Sequence, residues 1–214
     1  MKPSFCLEKK SSKPRGSLTK LVRKSLSELE PNLVDVLENC SIETYDLPFY
    51  NNIELVTVSY THWQPKGSLL CGLTDGKDFW RLDGRSPPIH EVNGKAGINV
   101  NESTAMQYLT FFCFFVRGDE GPFFIVEHLG SPYIPDGCDI NCLDKIFRHP
   151  QIFGKDKQGN YKVSSLVYYS DAIFFADFII EQSGMIKMVD DHPVLADIGE
   201  SIDAPLKVEY VLNS

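Results

Sequence analysis

Residues 161–189 read YKVSSLVYYSDAIFFADFIIEQSGMIKMV, and this stretch decides the fold. Tyr161–Tyr169, Ala172–Glu181 and Met185–Val189 are rich in β-branched and aromatic residues, which suit a pleated surface. Ser170–Asp171 and Gln182–Ser183–Gly184 separate them with turn chemistry. Three strands on two short connections make an antiparallel meander. Along the middle strand Ala172, Phe174, Ala176, Phe178 and Ile180 share one face, while Ile173, Phe175, Asp177 and Ile179 share the other. Both faces are largely apolar, which predicts a central strand covered on both sides.

A second β region lies upstream. From Ile53 to His62 the residues alternate with period two, and Pro65 and Gly67 end the run. Ser68–Leu73 supplies another strand, and Asp75–Gly76 marks a hairpin into Phe79–Leu82. Pro87–Pro88 predicts loop or sheet edge, because neither residue donates to a ladder, with a short strand at Ile89–Val92. Phe123–Leu129 and Leu206–Leu212 add strands. Gly130–Asn160 reads as irregular, with one helical turn around Leu143–Phe147.

Helical periodicity appears twice. After Ser17, a candidate N-cap, Leu18, Leu21, Val22, Leu26 and Leu29 fall along one face. Pro31 interrupts the pattern, and Leu33, Val34 and Leu37 suggest a short second helix. Residues 99–117 carry apolar side chains nearly all round, the mark of a helix buried between layers. Asn99 with Glu102, or Asn101, supplies its cap. The fold class is α+β: a mostly antiparallel sheet, a buried central helix at about 99–117, and N-terminal helices packed outside. A basic mobile arm (1–16) precedes a single domain (17–214) that opens with the helical segment 17–40.

The chain has 214 residues, 43% hydrophobic and 23% charged, so its core needs no disulfide or metal staple. The net charge of −8 is unevenly spread. Residues 1–24 hold eight bases and one acid, a balance of +7, which leaves 13 bases and 28 acids, −15, for the remainder. An acidic body repels nucleic acid, so such a partner is expected only through residues 1–24. There is neither an apolar secretion segment nor a run of membrane-spanning length, which predicts a cytoplasmic protein with reduced cysteines and no membrane partner.

Nucleotide-binding glycine loops, the zinc-protease helix and the serine-nucleophile elbow are all missing. Cys138 and Cys142 with His149 give one cysteine pair where zinc needs two, so no metal is assigned. Cys71 and Cys113 sit among large apolar residues and read as core thiols rather than nucleophiles. Asp190–Asp191–His192, followed by Pro193, reads as a turn beside Asp177. The residue types best suited to recognising planar or anionic groups are Trp80, Arg81, His90 and Arg117, which form the candidate ligand-binding set. A helix-capping role, or a pairing with Glu120, competes for Arg117.

The run Tyr108–Phe123, with Phe111–Phe115 followed by Val116–Arg117–Gly118–Asp119–Glu120–Gly121–Pro122, resembles a segment of an uncharacterised bacterial protein family. The hairpin from Tyr169 to Met185 is similar to that family's later part. The resemblance covers most of residues 50–195, implies a bacterial cytosolic protein, and carries over no functional residue.

The expectation is therefore a non-catalytic ligand-binding or protein-interaction module, with no cofactor and with an unknown protein or small-molecule partner. One alternative is a hydrolase or transferase using His62 or His90 with a carboxylate. Another is nucleic-acid contact through the N-terminal arm.

Overall fold

Leu18, Val22 and Leu26, at four-residue steps, are all buried along one face of the first helix, α1 (Arg15–Leu29). The computed structural model describes residues 15–29, 33–34, 37–131, 133–135, 138–199 and 205–211. The protein is α+β with antiparallel strand pairing. Internal contacts gather the chain into two compact units. The first contains the described residues up to Gly97 together with 205–211, and the second runs from Ile98 to Gly199.

In the first unit, a 3-10 turn at Leu37–Asn39 leads into β1 (Ser41–Asp46). Then come β2 (Glu54–Ser59), a short β3 (Trp63–Gln64), β4 (Leu70–Thr74) and β5 (Phe79–Leu82). The sheet order is β1-β2-β4-β5. The α1 stripe packs with Leu33, Leu37, Cys40, Val56, Val58, Trp63 and Leu70 in one apolar core. The Asp75–Gly76 hairpin is present, with Thr74 opposite Phe79. Gly76 takes φ 92°, and Asp75 Oδ1 accepts the backbone N–H groups of Lys77 and Asp78.

The end of the chain returns to this unit. Tyr210–Val211 pairs with β3, Leu69 N–H donates to Pro205 O at 2.8 Å, and Ser68 Oγ donates to Lys207 O at 3.2 Å.

Several expectations for this unit change. The first helix begins at Arg15, inside the segment read as an arm and ahead of Ser17; positions 1–14 lie outside the described residues. Of the second N-terminal helix, residues 33–34 and the turn at 37–39 are described. Strand β1 was not expected at all. Residues 87–92 are not loop and strand but the start of helix α2 (Pro87–Ala96), with Pro87 and Pro88 in its first turn. Proline's fixed φ suits that turn, and the N–H it lacks would have had no intrahelical partner there.

The second unit opens with α3 (Ala105–Phe115), on which Ala105 and every residue from Tyr108 to Phe115 are buried. Asn101 Oδ1 accepts Ser103 N–H just ahead of it, so the asparagine at 101 makes the entry turn. A two-residue hairpin follows, β6 (Arg117–Gly118) with β7 (Gly121–Pro122), and then β8 (Phe124–Ile125). The strand expected over 123–129 is thus much shorter.

The segment 130–160 holds more structure than its composition suggests. Helix α4 (Ile140–Ile146) is capped by Asp139, whose side chain accepts the N–H groups of Asn141 and Cys142. Strand β9 (Gln151–Lys155) pairs with β10 (Tyr161–Tyr169).

Strands β10, β11 (Ala172–Ile180) and β12 (Ile186–Leu195) form the meander, in sheet order β12-β11-β10-β8. Ser170 makes the tight turn with φ 57°. Asp190–Asp191–His192, read as a turn, lies inside β12, which runs well past Val189. Pro193 is tolerated because β12 is an edge strand.

Candidate functional site

In an antiparallel pair, residues directly opposite one another point to the same side. One side of the β10–β11 pair therefore carries Tyr161, Val163, Ser165, Val167, Ala176, Phe178 and Ile180, all buried, with Phe174 half-buried beside them. The other side divides into two halves. At one end Leu166, Tyr168 and Ile173 are buried, with the Tyr168 and Phe124 rings 6.2 Å apart and Phe124 stacked on Tyr133 at 4.1 Å. At the other end Phe175, Asp177 and Ile179 are only half-buried. The central strand is thus covered over most of one face and half of the other, a correction to the expected double cover.

The uncovered half is a groove of about 450 Å³. Its apolar walls include Phe153, Phe175, Ile179 and Val189, and its polar groups are Lys162, Ser164 and Asp177. Phe153 is 63% exposed and Val189 53% exposed, unusual for large apolar side chains on a folded surface.

The polar floor is set by register. Ser164 stands opposite Asp177, and its hydroxyl donates to Asp177 Oδ1. Among the described residues, Ser164 is the one side chain that hydrogen-bonds this carboxylate. Asp177 also stands opposite Asp190 of β12. His192 Nε2 lies 3.3 Å from Asp190 Oδ2 on that exposed strand. Neither nearby lysine is ion-paired with Asp177. Lys187 Nζ meets Glu181 Oε1 at 2.5 Å. Lys162 acts on Asp156, whose carboxyl is held below its usual range chiefly by the Asn160 N–H and in smaller part by that lysine.

The residues singled out from sequence fall elsewhere. Trp80, Arg81 and His90 belong to the first unit and Arg117 to the second. Trp80 is nearly buried, and its indole N–H donates to Glu91 Oε1 at 2.9 Å. Lys95 meets the same carboxylate at 2.9 Å and sits 5.0 Å from the Trp80 ring centroid. These three line a polar cleft of about 360 Å³ with Lys24, Lys77 and Asp78.

Arg81, next along β5, is buried. Nη1 donates to Cys71 O at 3.0 Å and to Leu82 O, and Nη2 donates to Leu206 O. Its guanidinium binds backbone carbonyls of this chain, a structural tie between β4, β5 and the C-terminal segment. His90 is half-exposed on α2. Arg117 is half-buried, 5.8 Å from the Phe114 ring, while Glu120 accepts the Ser170 hydroxyl at 2.7 Å. The structure brings Trp80 together with Glu91 and Lys95, not with the guanidinium of Arg81.

Known proteins add nothing further. No family model, curated protein or solved structure matches this chain.

Cys71 and Cys113 are buried, and burial pushes the Cys113 thiol up to about 12. Cys138 is buried, Cys142 is half-buried, and exposed His149 packs edge-on to Phe147 at 4.9 Å. Among the described residues no His, Cys, Asp and Glu group is arranged to hold a metal ion. His62 meets Thr61 Oγ1 and the Tyr60 ring. No helix among the described residues is long and apolar enough to cross a membrane.

The groove was missed from sequence, although one signal for it was present. Asp177 is the single charge on an otherwise apolar strand, and a charge in that position needs either a partner or an opening to water.

Proposed function

We propose that the chain is a non-catalytic ligand-binding module whose site is the groove over β10 and β11. The observation that carries this reading is an apolar groove of about 450 Å³ with a carboxylate on its floor. Ligand sites are typically concavities of about 300–1,000 Å³, mostly apolar, with a few placed polar groups. Phe153, Phe175, Ile179 and Val189 provide the apolar part, and Asp177 and Ser164 provide the orienting part.

The sheet's edge is a poorer binding surface than its face. Pro193, the charges at Lys187, Asp190 and Asp191, and two register shifts along β12 are devices that discourage another strand from adding there. We place this module in a reducing cytoplasm, a reading supported by Cys113, Cys138 and Cys142, which among the described residues carry thiols rather than disulfides.

The test is a thermal-shift screen of the purified chain against amines, organic acids, nucleotides, sugar phosphates and divalent metals. A ligand at ~100 times its dissociation constant adds about 2.7 kcal/mol, a visible shift. The response should be lost in the double variant Phe175→Asp with Ile179→Asp and kept in Trp80→Phe. Ligands that stabilise wild type and the groove variant equally would overturn the assignment.

A further inference from the structure

We infer that the groove takes an organic cation: an ammonium or amidinium group seated on Asp177 and carried on an aromatic or branched apolar body. This inference rests on the groove being the binding site. The first argument is the shape of the charge. The Asp177 carboxylate sits half-buried among apolar side chains, and among the described residues its hydrogen-bonding side chain is a neutral serine. A carboxylate withdrawn from water favours a counter-charge, and none of the described side chains is ion-paired with it.

The second argument is independent and comes from register. Asp177 and Asp190 are directly opposite across β11 and β12. Like charges in that position destabilise a sheet, so the pair is a local conflict that the fold tolerates. A cation bound at Asp177 removes it. The third argument is the wall. Phe153 and Phe175 line the groove beside the carboxylate, and aromatic faces attract ammonium groups. Lys162 lines the same groove without an ion pair to Asp177, and the anionic probe below sets its charge against that of the carboxylate.

The experiment titrates the full chain with three probes of one shape, 2-phenylethylammonium, 2-phenylethanol and phenylacetate, followed by NMR shifts and calorimetry. The ammonium should perturb Phe175, Asp177 and Ile179 and bind about tenfold more tightly than the alcohol, with phenylacetate weakest. Asp177→Asn, which keeps an acceptor for Ser164, should erase the preference for the cation while the alcohol still binds. Equal binding of ammonium and alcohol overturns the cation inference and leaves the groove reading standing. Tighter binding of phenylacetate does the same and assigns the selectivity to Lys162. If no probe perturbs the groove, or if sedimentation shows a dimer whose formation Phe153→Ser abolishes, both readings fall.

Discussion

Asp177 and Asp190 face each other across β11 and β12, two carboxylates at one position of an antiparallel ladder. Cross-strand like charges cost stability, typically a few tenths of a kcal/mol to about 1 kcal/mol. Asp190 is exposed and its contact with His192, at 3.3 Å, is a surface pair of small worth. Asp190→Asn should therefore raise the stability of the unliganded protein by about 0.5 kcal/mol. Urea denaturation of the two proteins measures it. A loss of stability would mean that the His192 contact outweighs the repulsion.

Arg81 offers the opposite case, a charge whose removal should do harm. Its guanidinium ties the carbonyls of Cys71, Leu82 and Leu206, and so joins two strands to the returning C-terminal segment. Truncation removes three buried hydrogen bonds from a charged donor, at a cost of about 3 kcal/mol or more. Arg81→Ala should lower the melting temperature by several degrees and increase proteolysis after residue 204. Arg81→Lys should recover little, since a single ammonium lacks the planar fork that reaches several carbonyls at once. An unchanged melting temperature in Arg81→Ala would refute the structural assignment.

Gly72 lies in the middle of β4, where a glycine has no intrinsic advantage. A Cβ there would be 2.2 Å from the nearest atom of the Phe79 ring, so the ring occupies the space a side chain would need. Gly72→Ala must displace Phe79, and overpacking of this kind costs about 1–3 kcal/mol. In the background Phe79→Ala the same substitution should cost almost nothing. A double-mutant cycle by chemical denaturation reads the coupling directly, and additivity would show that the ring is not the obstacle.

Much of this architecture is written locally in the chain. The strands at 161–169 and 172–180, the hairpin at Asp75–Gly76 and the buried helix around 105–115 each follow from period and turn chemistry over a short window. The failures are equally physical. Pro87–Pro88 fits both an edge and a first helical turn, and only the pattern beyond it, with Ile89 and Val92 buried on one face of α2, decides between them. Strand β9 is almost wholly exposed and has no alternation to read. The groove depends on the register between β10 and β11 and on which half of a face is left uncovered, and a residue list contains neither. The surroundings of Arg81 are equally beyond a residue list: arginine beside tryptophan suits recognition of a planar group, whereas the carbonyls that its guanidinium meets come from three separate segments.

Cys113 and Tyr45, with Cys138 and Tyr168 also raised by burial, weaken the fold at alkaline pH. Burial pushes Cys113 up to about 12. Tyr45 is also raised to about 12, first by burial and then by its hydrogen bond to Glu43, with the hydroxyl donating at 2.7 Å. In the unfolded chain these groups ionise near ~8.5 and ~10. Between those values and about 12 the unfolded state binds fewer protons than the folded one, so stability falls as pH rises. It is fully present below pH ~8.5, where both groups are protonated in both states. Urea midpoints at pH 7 and pH 8 should agree, and those at pH 9.5 and 10.5 should drop in succession. Cys113→Ala removes one of two early-titrating thiols, the other being Cys138, so its midpoint should fall less between pH 8.5 and 9.5 even if the variant is less stable throughout. In the folded wild type Cys113 should resist alkylation at pH 8 and react on unfolding. Reaction in the native state at a rate like that of a free thiol would place Cys113 at the surface and remove the basis of the prediction.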